Sequence, residues 1–119
     1  MNEFELIDLI VAALDDTTRG DGIVIGPGDD CAVLEFPAGH ELVVTTDTLV
    51  EGRHFPKKAR ADLVGYRAIA VNLSDLAAMG ATARYLTVAL TLEKADADWS
   101  RALAEGIAHC ARAFGAKVV

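Results

Sequence analysis

The order of helix- and strand-forming segments in this 119-residue chain predicts an α+β fold: a mostly antiparallel sheet of about four strands packed with helices. Three observations carry that expectation. Apolar residues recur at helical spacing near the amino terminus, over 61–79, and again from Ala97 or Asp98 to about Gly115. Runs rich in valine, leucine and threonine occupy 31–36, 41–49 and 84–92. A short Pro37-Ala38-Gly39-His40 turn separates the first two runs, as in an antiparallel hairpin.

Asn2 and Glu5 have capping-box spacing, and Phe4, Leu6, Ile7, Ile10, Val11 and Leu14 make a helical stripe that ends at Leu14. A polar, glycine-punctuated loop follows from Asp15 to Gly22. After the two hairpin strands, a charged loop from Glu51 to Arg60 leads into the 61–79 helix. One face of that helix carries Leu63, Tyr66, Ile69, Ala70, Leu73, Leu76 and Ala77. The opposite face carries Val64, Ala68, Val71, Asp75 and Met79, apolar but for one carboxylate. A helix apolar on both sides is expected to be covered on both sides. Gly115 has the character of a helix C-cap, and Lys117-Val118-Val119 begins a further strand. So short a final strand and so apolar a helix point to a partner chain or a further domain beyond the single domain at 1–119.

Composition narrows the function. The chain is 52% hydrophobic and 24% charged, as in a globular protein, and 18 acidic against 11 basic residues give a net charge of −7. Such a surface repels nucleic acid and anionic membranes, so neither is an expected partner. Cys31 and Cys110 are too few for a disulfide framework and read as reduced core thiols. With no long apolar span, a cytoplasmic location is expected.

Three acidic motifs stand out. Asp29 and Asp30 follow a Gly26-Pro27-Gly28 turn, Asp47 closes a Thr45-Thr46-Asp47-Thr48 run, and Asp75 interrupts an apolar helix. Oxygen-only ligands without a nearby histidine or cysteine pair suit Mg²⁺ or Ca²⁺, and scattered aspartates holding Mg²⁺ usually serve a substrate phosphate. Each motif has a plainer alternative. The first is neither a dinucleotide fingerprint nor a Walker A loop and reads equally as a surface turn. The second reads as a threonine-rich strand end. Asp75 invites a salt bridge to Arg67, although more than two helical turns separate the two residues. His54, beside Arg53, divides between a solvated loop histidine and a contact to a phosphate or polar substrate group. His40, His109 and Trp99 invite no functional role.

Taken together, GPGDDCAVL, TTDTLVEGRHF and YRAIAVNLSDLAAMGA, in that order, resemble the thiamine-monophosphate kinase family of the aminoimidazole-ribonucleotide-synthetase-like superfamily. The resemblance implies an amino-terminal domain whose sheet pairs with a second subunit's in a homodimer. It implies transfer of the ATP γ-phosphate to thiamine monophosphate, giving thiamine diphosphate, with Mg²⁺. By position, Asp30, Thr45, Thr46, Asp47 and Asp75 would be magnesium ligands and His54 would touch the substrate. No catalytic side chain is implied, because a substrate phosphate oxygen is already a nucleophile and phosphoryl transfer needs chiefly positioning and charge neutralisation. The family continues with a Gly-Gly-Asp turn and a carboxy-terminal domain that this chain does not include, so the chain alone is expected to be inactive. Two alternatives stay open: a sibling ATP-dependent synthetase of selenophosphate or aminoimidazole ribonucleotide type, and a non-catalytic metal-binding dimerisation module.

Overall fold

Three helices form the body of the molecule, and two small sheets sit at their margins. A computed structural model describes residues 1–119. Helix α1 spans Glu3–Leu14. Its capping box forms as the spacing predicts: the Glu5 N–H donates to Asn2 Oδ1 at 3.0 Å, and the Asn2 N–H donates to Glu5 Oε2 at 2.8 Å. A single 3₁₀ turn, Asp15–Thr18, follows, with the buried Thr17 hydroxyl donating to the Leu14 carbonyl.

Helices α2 (Ala61–Ala78) and α3 (Ala97–Phe114) pack most extensively on each other, and α1 lies against α3. Asp96 caps α3 by accepting from the Trp99 N–H at 2.9 Å, and Gly115 ends it in the left-handed region at φ 69°. The core between the helices is built from Leu14, Val64, Ile69, Leu73, Leu103 and Ile107 with a run of buried alanines. Glycines set the crossing. A Cβ on Gly65 would overlap the Leu103 carbonyl, and one on Gly106 would overlap the Asp62 carbonyl, so the two backbones touch where side chains usually stand.

That crossing corrects the expected division of α2. Val64 and Gly65 are buried together with Ile69 and Leu73, whereas Leu63, placed with the apolar face by periodicity, is 59% exposed. Asp75 is also exposed. The close approach at Gly65 turns that side of the helix toward α3 and leaves the carboxylate in solvent.

The sheet departs furthest from expectation. Strand β1 (Ile23–Ile25), a β-branched run not anticipated as a strand, pairs antiparallel with β2 (Val33–Leu34) across an irregular register. Strand β3 (Tyr85–Leu86) pairs parallel with β4 (Lys117–Val118). The fold therefore contains two two-stranded sheets and not a four-stranded, mostly antiparallel one. The Ala38–Gly39 turn forms, with Gly39 at φ 79°, but 31–36 and 41–49 do not pair across it. No residue in 41–49 or 87–95 makes a backbone hydrogen bond. These segments have strand-like sequences without a neighbour to complete the ladder, and Leu42, Val44 and Val88 are 64%, 77% and 42% exposed.

Tyr85 joins the two sheets. Its hydroxyl donates to the Asp21 carbonyl at 2.8 Å, and its ring meets Phe36 edge-on at 6.0 Å. Because Gly22 (φ 81°) lies under that hydroxyl, a side chain there would displace it.

Candidate functional site

The acidic turn is the loop of the β1–β2 hairpin, which explains its composition. Gly28 takes φ 117°, a conformation open to glycine, and Pro27 and Asp29 form an isolated bridge. Asp29 Oδ1 accepts from the Asp30 N–H at 2.8 Å and so stabilises the turn itself. The Asp30 carboxylate is exposed and has no protein hydrogen bond or ion pair. The hairpin thus divides its two aspartates between holding the turn and facing solvent.

Thr45 is half-buried and Thr46, Asp47 and Thr48 are exposed along the extended segment that follows. Asp47 has no side-chain partner. The chain then closes into a tight turn in which the Gly52 N–H donates to the Phe55 carbonyl at 2.7 Å and the His54 N–H to the Val50 carbonyl at 2.8 Å. Gly52 at φ 79° permits the reversal. The Val50 N–H donates to His54 Nδ1 at 2.8 Å, so that nitrogen is an acceptor and the neutral ring carries its proton on Nε2. Phe55, half-buried, packs against the core and anchors the turn.

On α2, Arg67 and Asp75 form no ion pair, which removes the structural salt bridge as the reason for an acid at that position. One turn earlier, Asn72 Nδ2 donates to the Ala68 carbonyl at 2.9 Å while its Oδ1 is buried without a partner. Elsewhere the acidic residues include several that are paired. The Arg112 guanidinium donates to Asp16 at 2.9 Å and holds its carboxyl below the usual range, and Arg60 does the same for Asp62. Asp30, Asp47 and Asp75 share the opposite condition, with all their oxygens available.

Within the single chain, no three His, Cys, Asp or Glu side chains gather closely enough to hold a metal ion. Asp30 on the hairpin loop, Asp47 on the segment before the Val50–Phe55 turn and Asp75 on α2 therefore form no such cluster in this chain. In donor chemistry the set fits a hard cation: carboxylates and hydroxyls, unpaired and accessible. Cys31, expected in the core, is exposed beside Asp30, whereas Cys110 is fully buried and burial raises its thiol pKa.

The sequence model of AIR synthase related protein, N-terminal domain, matches residues 28–119. The chain belongs to that family. It is 53% identical over 83 residues to a thiamine-monophosphate kinase of Salmonella typhimurium, covering 69% of the chain and 25% of that protein. It is 36% identical over 99 residues to one of Haemophilus influenzae, covering 83% of the chain and 30% of that protein. The crystal structure of thiamine-monophosphate kinase from Stenotrophomonas maltophilia K279a superposes with a TM-score of 0.83 at 44% identity, covering all of this chain and 37% of that one. The resemblance to this kinase family is thereby borne out. The chain spans between a quarter and a third of the length of these curated relatives.

Two contributors escaped sequence reasoning. The glycine pair that orients α2 had a signal, two helix-interior glycines where alanine is the better helix former. The buried Asn72 oxygen had none, because only packing shows that it lacks a donor.

Proposed function

We propose that this chain is the amino-terminal domain of a magnesium-dependent kinase that transfers the ATP γ-phosphate to thiamine monophosphate. One observation carries the reading: similarity over the entire chain, at 44% identity, to a structure described as a thiamine-monophosphate kinase. The unpaired state of Asp30, Asp47 and Asp75 supports it. Carboxylates that neither cap, bridge nor brace the fold are free for a ligand.

In this reading Asp30 from the hairpin loop, Thr45, Thr46 and Asp47 from the extended segment, and Asp75 from α2 hold Mg²⁺. When bound, the metal neutralises phosphate charge, so that an anionic nucleotide tolerates an acidic surface. The side chains contribute position. His54 is held by the Val50 N–H and presents Nε2–H as a donor to the acceptor substrate. A donor fixed before binding spends little entropy on orientation. No side chain is assigned proton abstraction.

The proposal includes a homodimer. Segments 41–49 and 87–92 are extended, apolar and without backbone partners, and pairing with a second copy would satisfy their N–H and C=O groups while covering Leu42, Val44 and Val88. It also includes a cytoplasmic location, a carboxy-terminal domain supplying the remaining ligands, and an inactive isolated chain. No helix is long and apolar enough to cross a membrane.

The test is turnover by the full-length protein containing this domain, with ATP, Mg²⁺ and thiamine monophosphate. Thiamine diphosphate and ADP should appear in equal amounts. ADP formation only with selenide or an aminoimidazole ribonucleotide precursor would replace the reading with a sibling synthetase.

A further inference from the structure

The loop from Glu51 to Arg60 reverses the charge of its surroundings. Four of the chain's eleven cationic residues (Arg53, Lys57, Lys58 and Arg60) lie in it against one carboxylate, Glu51, while the chain as a whole carries −7. Arg60 is occupied, its guanidinium making a two-point bond to Asp62 at 3.1 and 2.7 Å. Arg53, Lys57 and Lys58 are exposed and have no carboxylate partner. The usual solvated charge run is flexible, and this one is built. The Val50–Phe55 turn is closed by three backbone bonds and by His54 Nδ1, Phe55 is seated on the core, and the Ala59 N–H donates to the Pro56 carbonyl at 2.9 Å. The Arg60–Asp62 bond then ties the loop exit to the first turn of α2.

We infer that Arg53, Lys57 and Lys58, exposed on these two consecutive hydrogen-bonded turns that also carry His54, form a cationic rim that captures the phosphate of a small phosphorylated ligand. An acidic protein repels such an anion at a distance, and a local positive patch restores attraction over about one Debye length, roughly 8–10 Å at ordinary salt. Guanidinium and ammonium donors suit phosphate oxygens, and a preformed loop loses little freedom on binding. The rim rests on the proposed kinase reading only for the identity of that ligand.

The experiment is an amide NMR titration of the protein, first with inorganic phosphate at low salt and without metal, then with thiamine monophosphate, thiamine and ADP. Phosphate and thiamine monophosphate should shift the amides of residues 50–60, and thiamine should not. Added NaCl should weaken the response. The combined variant Arg53→Gln, Lys57→Gln, Lys58→Gln should bind phosphate about tenfold more weakly or worse, with an unchanged melting temperature. A stronger response of the same amides to ADP than to thiamine monophosphate supports the rim and gives it to the nucleotide. Phosphate shifts centred elsewhere, or equal binding by the triple variant, would overturn it. Because this titration involves no turnover, failure of the rim is seen here, and failure of the kinase reading is seen separately in the product assay.

Discussion

Gly106→Ala separates two opposing effects at the α2–α3 crossing. The new methyl carbon would stand 2.7 Å from the Asp62 carbonyl carbon and 2.8 Å from its Cα, besides overlapping the carbonyl oxygen. Carbon atoms settle at roughly 3.5–4.0 Å, so the helices must part by on the order of 1 Å. Helix propensity argues the other way, favouring alanine by about 1 kcal/mol. Overpacking costs about 1–3 kcal/mol, and here the obstacle is backbone, which has no rotamer to move to. Parting the helices also loosens Val64, Leu103 and Ile107 on the same interface. We expect a net loss of about 1–2 kcal/mol. Urea unfolding followed by circular dichroism at fixed protein concentration reads it as a lower midpoint with an unchanged slope. Because α2 carries Asp75, a ligand in the proposed reading, turnover by the full-length protein should, on that reading, also fall. Stability equal to or above the parent would mean that propensity prevails and that the crossing does not depend on glycine.

Asp30→Asn, Asp47→Asn and Asp75→Asn should each change metal-free stability by less than about 0.5 kcal/mol, since all three are exposed and unpaired. The same changes in the full-length protein should abolish turnover, and retained activity in any of them would remove that residue from the ligand set. A thiol reagent should modify Cys31 rapidly and Cys110 only on unfolding, because burial keeps the latter protonated and enclosed; two equally fast thiols would contradict the packing. Asp16 is held below its ordinary value of 3.8, chiefly by its hydrogen bond to Arg112. A depressed carboxyl stabilises the fold above its unfolded pKa and loses that contribution as pH falls through the folded pKa. The stability difference between the parent and Asp16→Asn should therefore shrink below pH 3.8, and a difference constant across that range would refute the linkage. Light scattering should give a dimer at tens of micromolar protein, with Val44→Lys shifted toward monomer; a monomeric parent would count against strand pairing between copies.

Local signals made the helices legible. Asn2 and Glu5 start α1 and Gly115 ends α3 because caps depend on neighbours within a few residues, which the sequence states directly. The family was legible for a similar reason, because its motif strings are contiguous in the chain; that Asp30, Asp47 and Asp75 have no side-chain partner emerged only from the fold. Distant partners decided the rest. Whether 41–49 becomes a strand depends on a neighbour that this chain does not supply, so its β-forming residues lie extended without a ladder. Which side of α2 is buried follows from backbone contact at Gly65 and Gly106, residues that add nothing to hydrophobic periodicity. Residue type and spacing determined the helix boundaries and the acidic motifs of this protein. Only the tertiary structure decided which side of α2 faces solvent and that 31–36 and 41–49 do not pair, because burial and pairing are set by residues far apart in the chain.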